Sequence, residues 1–204
     1  MTSPKPQDLA DHFEALFRDD TDPWQTRIRW YERRKRALTL AALPKERYGH
    51  AFEPGCGAGE LTLALAQRCD HVVASDASAA AVRQARATLV STVNVSLRQA
   101  RMPDDWPAGR FDLILLSELG YYLREDELAT LADACRVALI PGGALVACHW
   151  RRSAGDMLQS AQTVHERLQV ATGLFPASHY EDDDFLLDTW TVEPGSIATH
   201  EGLA

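Results

Sequence analysis

The chain has 204 residues, 46% of them hydrophobic and 25% charged, a size and balance that fit one globular domain with a substantial core. Its net charge of -8 argues against nucleic acid as a partner, because a phosphate backbone is bound through a surplus of Lys and Arg. No basic leader with an apolar run follows Met1, and no apolar stretch approaches the roughly 20 residues that cross a bilayer, so no membrane contact and a cytoplasmic location are expected.

Cys56, Cys69, Cys135 and Cys148 form no C-x-x-C pair, and three of them lie in stretches patterned as buried helix or strand. Reduced core thiols are expected, with no metal site. Residues 1–45 precede the first strand signal and predict one or two helices packed over a sheet edge. Asp22-Pro23-Trp24 and Trp30-Tyr31-Glu32-Arg33-Arg34-Lys35-Arg36 make this block dense in aromatic and basic residues. From residue 48 to 192 strand and helix signals alternate, the pattern of an open parallel sheet covered by helices.

Residues 48–53 predict a first strand, and 59–68 its crossover helix, with Leu61, Ala64, Leu65 and Arg68 on one face. A second strand covers 71–76, and Ser78 reads as the N-cap of an alanine-rich helix running to about residue 89. Residues 93–97 alternate as a short third strand. The continuous apolar run 111–117 fits a central strand buried on both faces. Leu128, Leu131, Cys135 and Leu139 mark the inner stripe of the next helix, stopped by Pro141-Gly142-Gly143 before a strand at 144–150. A last helix is expected at 156–172 with Gly173 past its end, then a hairpin of 175–180 and 185–192 around an acidic turn. The expected fold is α/β, a Rossmann-like doubly wound seven-stranded sheet with an antiparallel last strand, spanning 46–193 with a flexible tail at 194–204.

The most informative stretch is Glu53-Pro54-Gly55-Cys56-Gly57-Ala58-Gly59, answered by Asp76 at the end of the next apolar run. Strand, glycine-rich turn and helix together hold a nucleotide-like ligand, since side chains in the turn would keep the backbone from approaching it. The dinucleotide fingerprint G-x-G-x-x-G would require glycine at position 60, where Glu60 stands. Glu53 would sit badly beside a pyrophosphate and well beside an ammonium. The inferred ligand carries a cation near Glu53 and a ribose near Asp76, and S-adenosylmethionine has both. The rival reading of the turn is an ordinary loop with Asp76 as a helix cap.

This cradle resembles that of the class I S-adenosylmethionine-dependent methyltransferases, as does the pattern of seven strands with the last antiparallel. Residues 22–43, 52–66, 106–123, 141–151 and 184–190 together resemble the NodS-like methyltransferases, over nearly the whole chain. That family is named for an N-methyltransferase acting on the free amine of a deacetylated chitooligosaccharide. The resemblance implies S-adenosylmethionine held by Glu53, Gly55, Cys56, Gly57, Gly59, Asp76, Ala77, Met102 and Ser117, and a small-molecule acceptor such as an amino sugar or oligosaccharide. It departs from the class in one place: no carboxylate stands at the end of the third strand, where residues 98–103 read Arg98-Gln99-Ala100-Arg101-Met102-Pro103. Adenine would then be met by backbone near Met102 and by Asp104 or Asp105.

An amine acceptor must lose a proton before it attacks. Glu118 and His149 are the candidate bases, because each follows on a strand ending in the expected crevice; the rival roles are a structural carboxylate and a core histidine. Tyr121, Tyr122 and Trp150 are candidates for acceptor binding. The N-terminal block has two readings: a solvated basic face anchored by Trp24 and Trp30, or a lid in which Trp30 and Tyr31 cover the ligands while Arg33 or Arg34 meets the methionine carboxylate. His165 and His179 are too isolated in sequence to receive a role. Three other activities compete with N-methylation. An O-methyltransferase would differ in acceptor chemistry, a nicotinamide oxidoreductase is opposed by Glu53 and Glu60, and a non-catalytic binding protein would bind the cofactor without turnover.

Overall fold

The structure, a computed structural model, describes residues 6–152 and 155–203. Two helices come first, α1 (Pro6–Asp19) and α2 (Trp30–Ala41). The alternating part follows as β1 (Tyr48–Pro54), α3 (Glu60–Ala66), β2 (Cys69–Asp76), α4 (Ala79–Thr88), β3 (Val95–Gln99) and β4 (Phe111–Ser117). A single 3-10 turn, Gly120–Tyr122, leads into α5 (Glu125–Ala138), β5 (Leu139–Trp150), α6 (Ala161–Thr172), β6 (Phe175–Glu181), β7 (Phe185–Thr191) and α7 (Ile197–His200).

Among the described residues, seven strands join one sheet in the order β3-β2-β1-β4-β5-β7-β6. β7 is antiparallel to both its neighbours, β5 and β6, while the pairs from β3 across to β5 are parallel. The strand order reverses between β1 and β4, so a crevice opens at their carboxyl ends, where open α/β sheets bind ligands.

Alternation along the strands builds a core on each face. Ile114, Leu116, Leu145 and Ala147 point to the side covered by α5 and α6, where they meet Leu128, Leu131, Val164 and Leu168. Leu113, Leu115, Val146 and Cys148 point to the other, under α2 and α3, with Leu43, Leu65 and Leu187. β4 is buried on both faces, as its unbroken apolar run predicts. The four cysteines are free thiols and all are buried. No helix among the described residues is long and apolar enough to cross a membrane.

Four local expectations shift, the first being the third strand, which covers Val95–Gln99 rather than 93–97. Leu139 leaves the helix stripe and opens β5 by pairing with Phe111, with a register irregularity before Leu113 pairs with Ala144. The sixth helix starts at Ala161 rather than near 156, because the Ser160 side chain accepts the Thr163 N–H and caps it. In the expected tail, Ser196 caps the short α7 in the same way.

Candidate functional site

At the end of β1 the chain turns through Gly55, Gly57 and Gly59, at φ of 73°, 53° and 85°, into α3. Gly59 has a second reason to lack a side chain. A Cβ there would lie 3.2 Å from Ala85 Cα and Cβ, forcing α3 away from α4. The turn is tied to β2 by Cys56 N–H donating to the Ser75 carbonyl and by Gly57 N–H donating to Asp76 Oδ2, both at 2.9 Å. Asp76 Oδ1 accepts the Ser78 N–H at 2.9 Å, and Ser78 in turn caps α4. Burial raises the Asp76 pKa, and these backbone donors oppose the shift.

Glu53 is treated differently. It is 1% exposed, and its Oε2 has no hydrogen-bond partner. Burial pushes its pKa up to about 8, with Asp76 adding to the shift and neighbouring Thr62 opposing it. A buried carboxyl with an unused oxygen is costly unless a cation arrives to meet it. This donor set fits S-adenosylmethionine: Glu53 for its ammonium, Asp76 for its ribose hydroxyls, and the glycine turn between them.

At the end of β3, where the resemblance would put adenine, several polar groups already have partners. Gln99 donates its side-chain N–H to the Ala77 carbonyl at 3.0 Å, and Asp105 Oδ2 accepts the Arg101 N–H at 2.9 Å. Met102 is buried in the core beside partly buried Trp106.

β4 delivers Ser117, half-buried, and then Glu118, a non-glycine residue at φ 55°. Such strain persists where the surroundings impose it. Here Glu118 Oε1 accepts Lys35 Nζ at 2.8 Å, while Oε2 accepts the Tyr121 hydroxyl and the Trp150 N–H, the latter at 3.2 Å. Lys35, 7% exposed, also pairs with Glu32 at 3.1 Å and stands 5.0 Å over the Tyr31 ring. Burial would lower the Lys35 pKa, but the two carboxylates outweigh it and raise it. The Tyr31 hydroxyl is buried without a partner. Glu32, Lys35 and Glu118 together carry one surplus negative charge. Leu119 packs 3.5 Å from where a Gly55 Cβ would be, so this cluster and the glycine turn share the β1–β4 crevice.

Tyr121 is buried, with its ring 4.7 Å from Tyr122 and 5.2 Å from His149. Tyr122 meets Phe13 of α1 at 4.9 Å, and Trp150 packs partly buried on the α5–α6 side. Three expected residues are placed elsewhere. His149 is 0% exposed, with Nε2 occupied by the Gly120 N–H and Nδ1 by His165, so no lone pair is left to take a proton from an acceptor. Trp30 is 68% exposed under Arg33 at the start of α2. Arg34 pairs with Asp182 at 2.7 Å and with the Tyr180 hydroxyl, fastening α2 to the β6–β7 hairpin.

The sequence assigned no site role to α1 or to Lys35, the cation of the cluster. Glu14 of α1 accepts the Ser78 hydroxyl at 2.7 Å and the Ala80 N–H at 2.9 Å. Phe17 lies 3.4 Å from where a Gly57 Cβ would be and packs with Ala58, Ala80 and Ala81. The i, i+4 spacing of Phe13 and Phe17 is the signal that could have marked this helix face. Lys35 was masked by its basic neighbours.

Residues 51–143 match the model of a methyltransferase domain family. Nodulation protein S of Rhizobium tropici is 29% identical over 140 residues, 67% of this chain and 59% of that protein, so the match spans less than two thirds of that relative. A crystal structure of a candidate methyltransferase from Pseudomonas syringae is 50% identical, with 80% of this chain and 99% of that one covered at a TM-score of 0.72. The N-methyltransferase NodS of Bradyrhizobium japonicum WM9, solved with S-adenosyl-L-homocysteine, is 26% identical, with 89% and 97% covered at a TM-score of 0.80. With the cradle at β1 and β2 and these relatives in agreement, the chain belongs to the class I S-adenosylmethionine-dependent methyltransferases and is similar to NodS among them.

Proposed function

We propose that the protein methylates the amine of a small molecule, with an amino sugar or an oligosaccharide bearing one as the acceptor class. The observation that carries this reading is the Glu32–Lys35–Glu118 cluster, whose surplus negative charge opens on the same crevice as Glu53 and the glycine turn. An ammonium is drawn to such a cluster and a neutral hydroxyl is not. The name of the Bradyrhizobium relative, an N-methyltransferase, supports the same acceptor chemistry.

S-adenosylmethionine supplies an electrophilic methyl group on its sulfonium when bound. Glu53 and Asp76 fix the two polar ends of that ligand, so that the acceptor needs only alignment and a lone pair. Glu118 takes the proton of the incoming ammonium, and Lys35 holds the carboxylate in place while it does so. Tyr31, Tyr121 and Tyr122 frame the acceptor, and the contact of Phe13 with Tyr122 keeps water from the crevice.

The test is turnover with a radiolabelled methyl donor over a panel of amines and hydroxyl compounds, followed by locating the label. Label on nitrogen is expected, and Glu118→Gln should lower the rate about 100-fold with cofactor affinity unchanged. Label on oxygen would replace this reading with an O-methyltransferase. Tight cofactor binding with no turnover on any amine would leave a binding protein.

A further inference from the structure

A chain of side chains runs from the crevice turn along the α6 side of the sheet to β6 at its edge. The Gly120 N–H donates to His149 Nε2 at 2.9 Å, and His149 Nδ1 lies 2.9 Å from His165 Nε2. His165 Nδ1 lies 2.6 Å from Asp188 Oδ2, and His179 Nδ1 lies 2.7 Å from Asp188 Oδ1. A backbone N–H can only donate. His149 Nε2 therefore carries the lone pair, and the proton of the neutral ring sits on Nδ1. That proton goes to His165 Nε2, so His165 keeps its own proton on Nδ1, where the Asp188 carboxylate accepts it.

One proton order thus satisfies every link from Asp188 to Gly120. Reversing it would aim a His149 Nε2–H at the Gly120 N–H, donor against donor. The rings have little room to escape this by moving, since His149 is 0% and His165 3% exposed. Burial, then His165 and Lys35, depress the His149 pKa, which keeps the ring neutral. Asp188 stays ionised because the hydrogen bonds from His165 and His179 outweigh its burial. The charged and titratable groups around the chain are Lys35 from α2, Tyr121 from the turn, and His179 and Glu181 from β6.

The turn held by this chain carries the acceptor-side groups. A Cβ on Gly120 would stand 2.4 Å from Val164 Cγ1 and 3.1 Å from His149 Nε2, so its backbone is pressed against α6 and the imidazole. Glu118 lies two residues before Gly120, and Tyr121 one after. We propose that His165 and Asp188 are positioning residues for methyl transfer: they lock His149 in its Nδ1–H tautomer and through it set the 118–122 turn. This rests on the acceptor role given to Glu118 and Tyr121 above.

The test combines a spectrum with a rescue. Nitrogen-15 NMR of the imidazoles, with S-adenosylhomocysteine bound, should find His149 protonated on Nδ1 in the unsubstituted protein. His165→Gln offers an amide oxygen to that proton and should keep both the tautomer and a kcat within about threefold. His165→Leu offers no acceptor; it should mix the tautomers and lower kcat about tenfold to a hundredfold, the range for partners that orient an imidazole. Cofactor affinity should stay within about twofold in both, because Glu53 and Asp76 are untouched. If the leucine variant does not fold, Asp188→Ala tests the other end of the chain with the same readouts. A His149 proton on Nε2, or full kcat in a variant whose tautomers mix, overturns the proposal. Loss of the acceptor reading would be recognised separately, by Glu118→Gln turning over normally while the tautomer spectrum is unchanged.

Discussion

On the proposed pairing of Glu53 with the cofactor ammonium, cofactor binding has a pH dependence of definite sign. Burial holds its carboxyl at about 8 in the free protein, so at neutral pH it is largely protonated, whereas pairing with a ligand ammonium needs the carboxylate. Each pH unit below that value costs binding a factor of ten, about 1.4 kcal/mol. The penalty is then about 1.4 kcal/mol at pH 7 and about 2.7 kcal/mol at pH 6, and it disappears above pH 8. Calorimetric titration with S-adenosylhomocysteine between pH 6 and 8.5, in buffers of different ionisation enthalpy, counts the proton released. Close to one proton per ligand is expected at pH 6.5 and about a quarter of one at pH 8.5. The stability of the free protein runs the opposite way. An acid raised in the folded state above its unfolded value of about 4.3 contributes fully below that value, and the contribution is lost as pH rises through about 8. Glu53→Gln should therefore raise the melting temperature of the free protein at pH 8 while weakening binding there by about 1 to 3 kcal/mol and flattening the slope. A dissociation constant independent of pH between 6 and 8, with no proton released, would refute the reasoning.

Asp76→Ala should weaken S-adenosylhomocysteine binding by about 1 to 3 kcal/mol in calorimetry, because it removes an acceptor of the ribose and frees the Gly57 and Ser78 N–H groups that shape the turn. Lys35→Met leaves Glu32 and Glu118 without their shared cation; removing one partner of a buried pair costs about 3 to 5 kcal/mol. Glu118 keeps some contact with water, so the low end is expected in denaturant unfolding, and a loss below about 1 kcal/mol would class the cluster with surface pairs. Hydrogen exchange in α1 should slow when S-adenosylhomocysteine binds, since Phe17 lies on the glycine turn, while α2, tied down by Arg34 and Lys35, should change little. Equal protection of α1 with and without ligand would make it static cover.

What the sequence made legible is local. The strand, glycine turn and helix around residues 53–59 are contiguous, and Asp76 lies one crossover away, so spacing and residue type suffice to place them. The acceptor side is built from distant parts. Lys35 and Glu118 are 83 residues apart, and nothing in the basic run 33–36 marks which cation turns inward. His149 shows how a correct strand end can mislead. It ends a strand at the crevice, as expected, but alternation from Leu145 and Ala147 turns its ring toward His165 of α6. Asp188 and Trp190 of β7 share that side by the same period, with Asp188 paired to Ala147 in register. Trp30 fails for a different reason: an aromatic at the first turn of a helix has no face assigned by periodicity, and here it stays in solvent.

Three acids stand at neighbouring strand ends along β2, β1 and β4, and each is compensated differently. Asp76 is met by backbone donors of its own turn, and Glu118 by Lys35, Tyr121 and the Trp150 N–H. Glu53 keeps an unpartnered oxygen in a dry place. A ligand contributes to stability only through what the free protein lacks. On the proposed assignment, the cofactor ammonium meets a buried carboxyl whose Oε2 nothing else meets, whereas an acceptor amine must share Glu118 with groups already bound to it. Cofactor binding should therefore carry most of the ligand-linked stabilisation, and the acceptor should add little beyond it. The difference suits a transfer enzyme: a weakly held ground state at the acceptor side leaves Glu118 free to act most strongly as the amine gives up its proton.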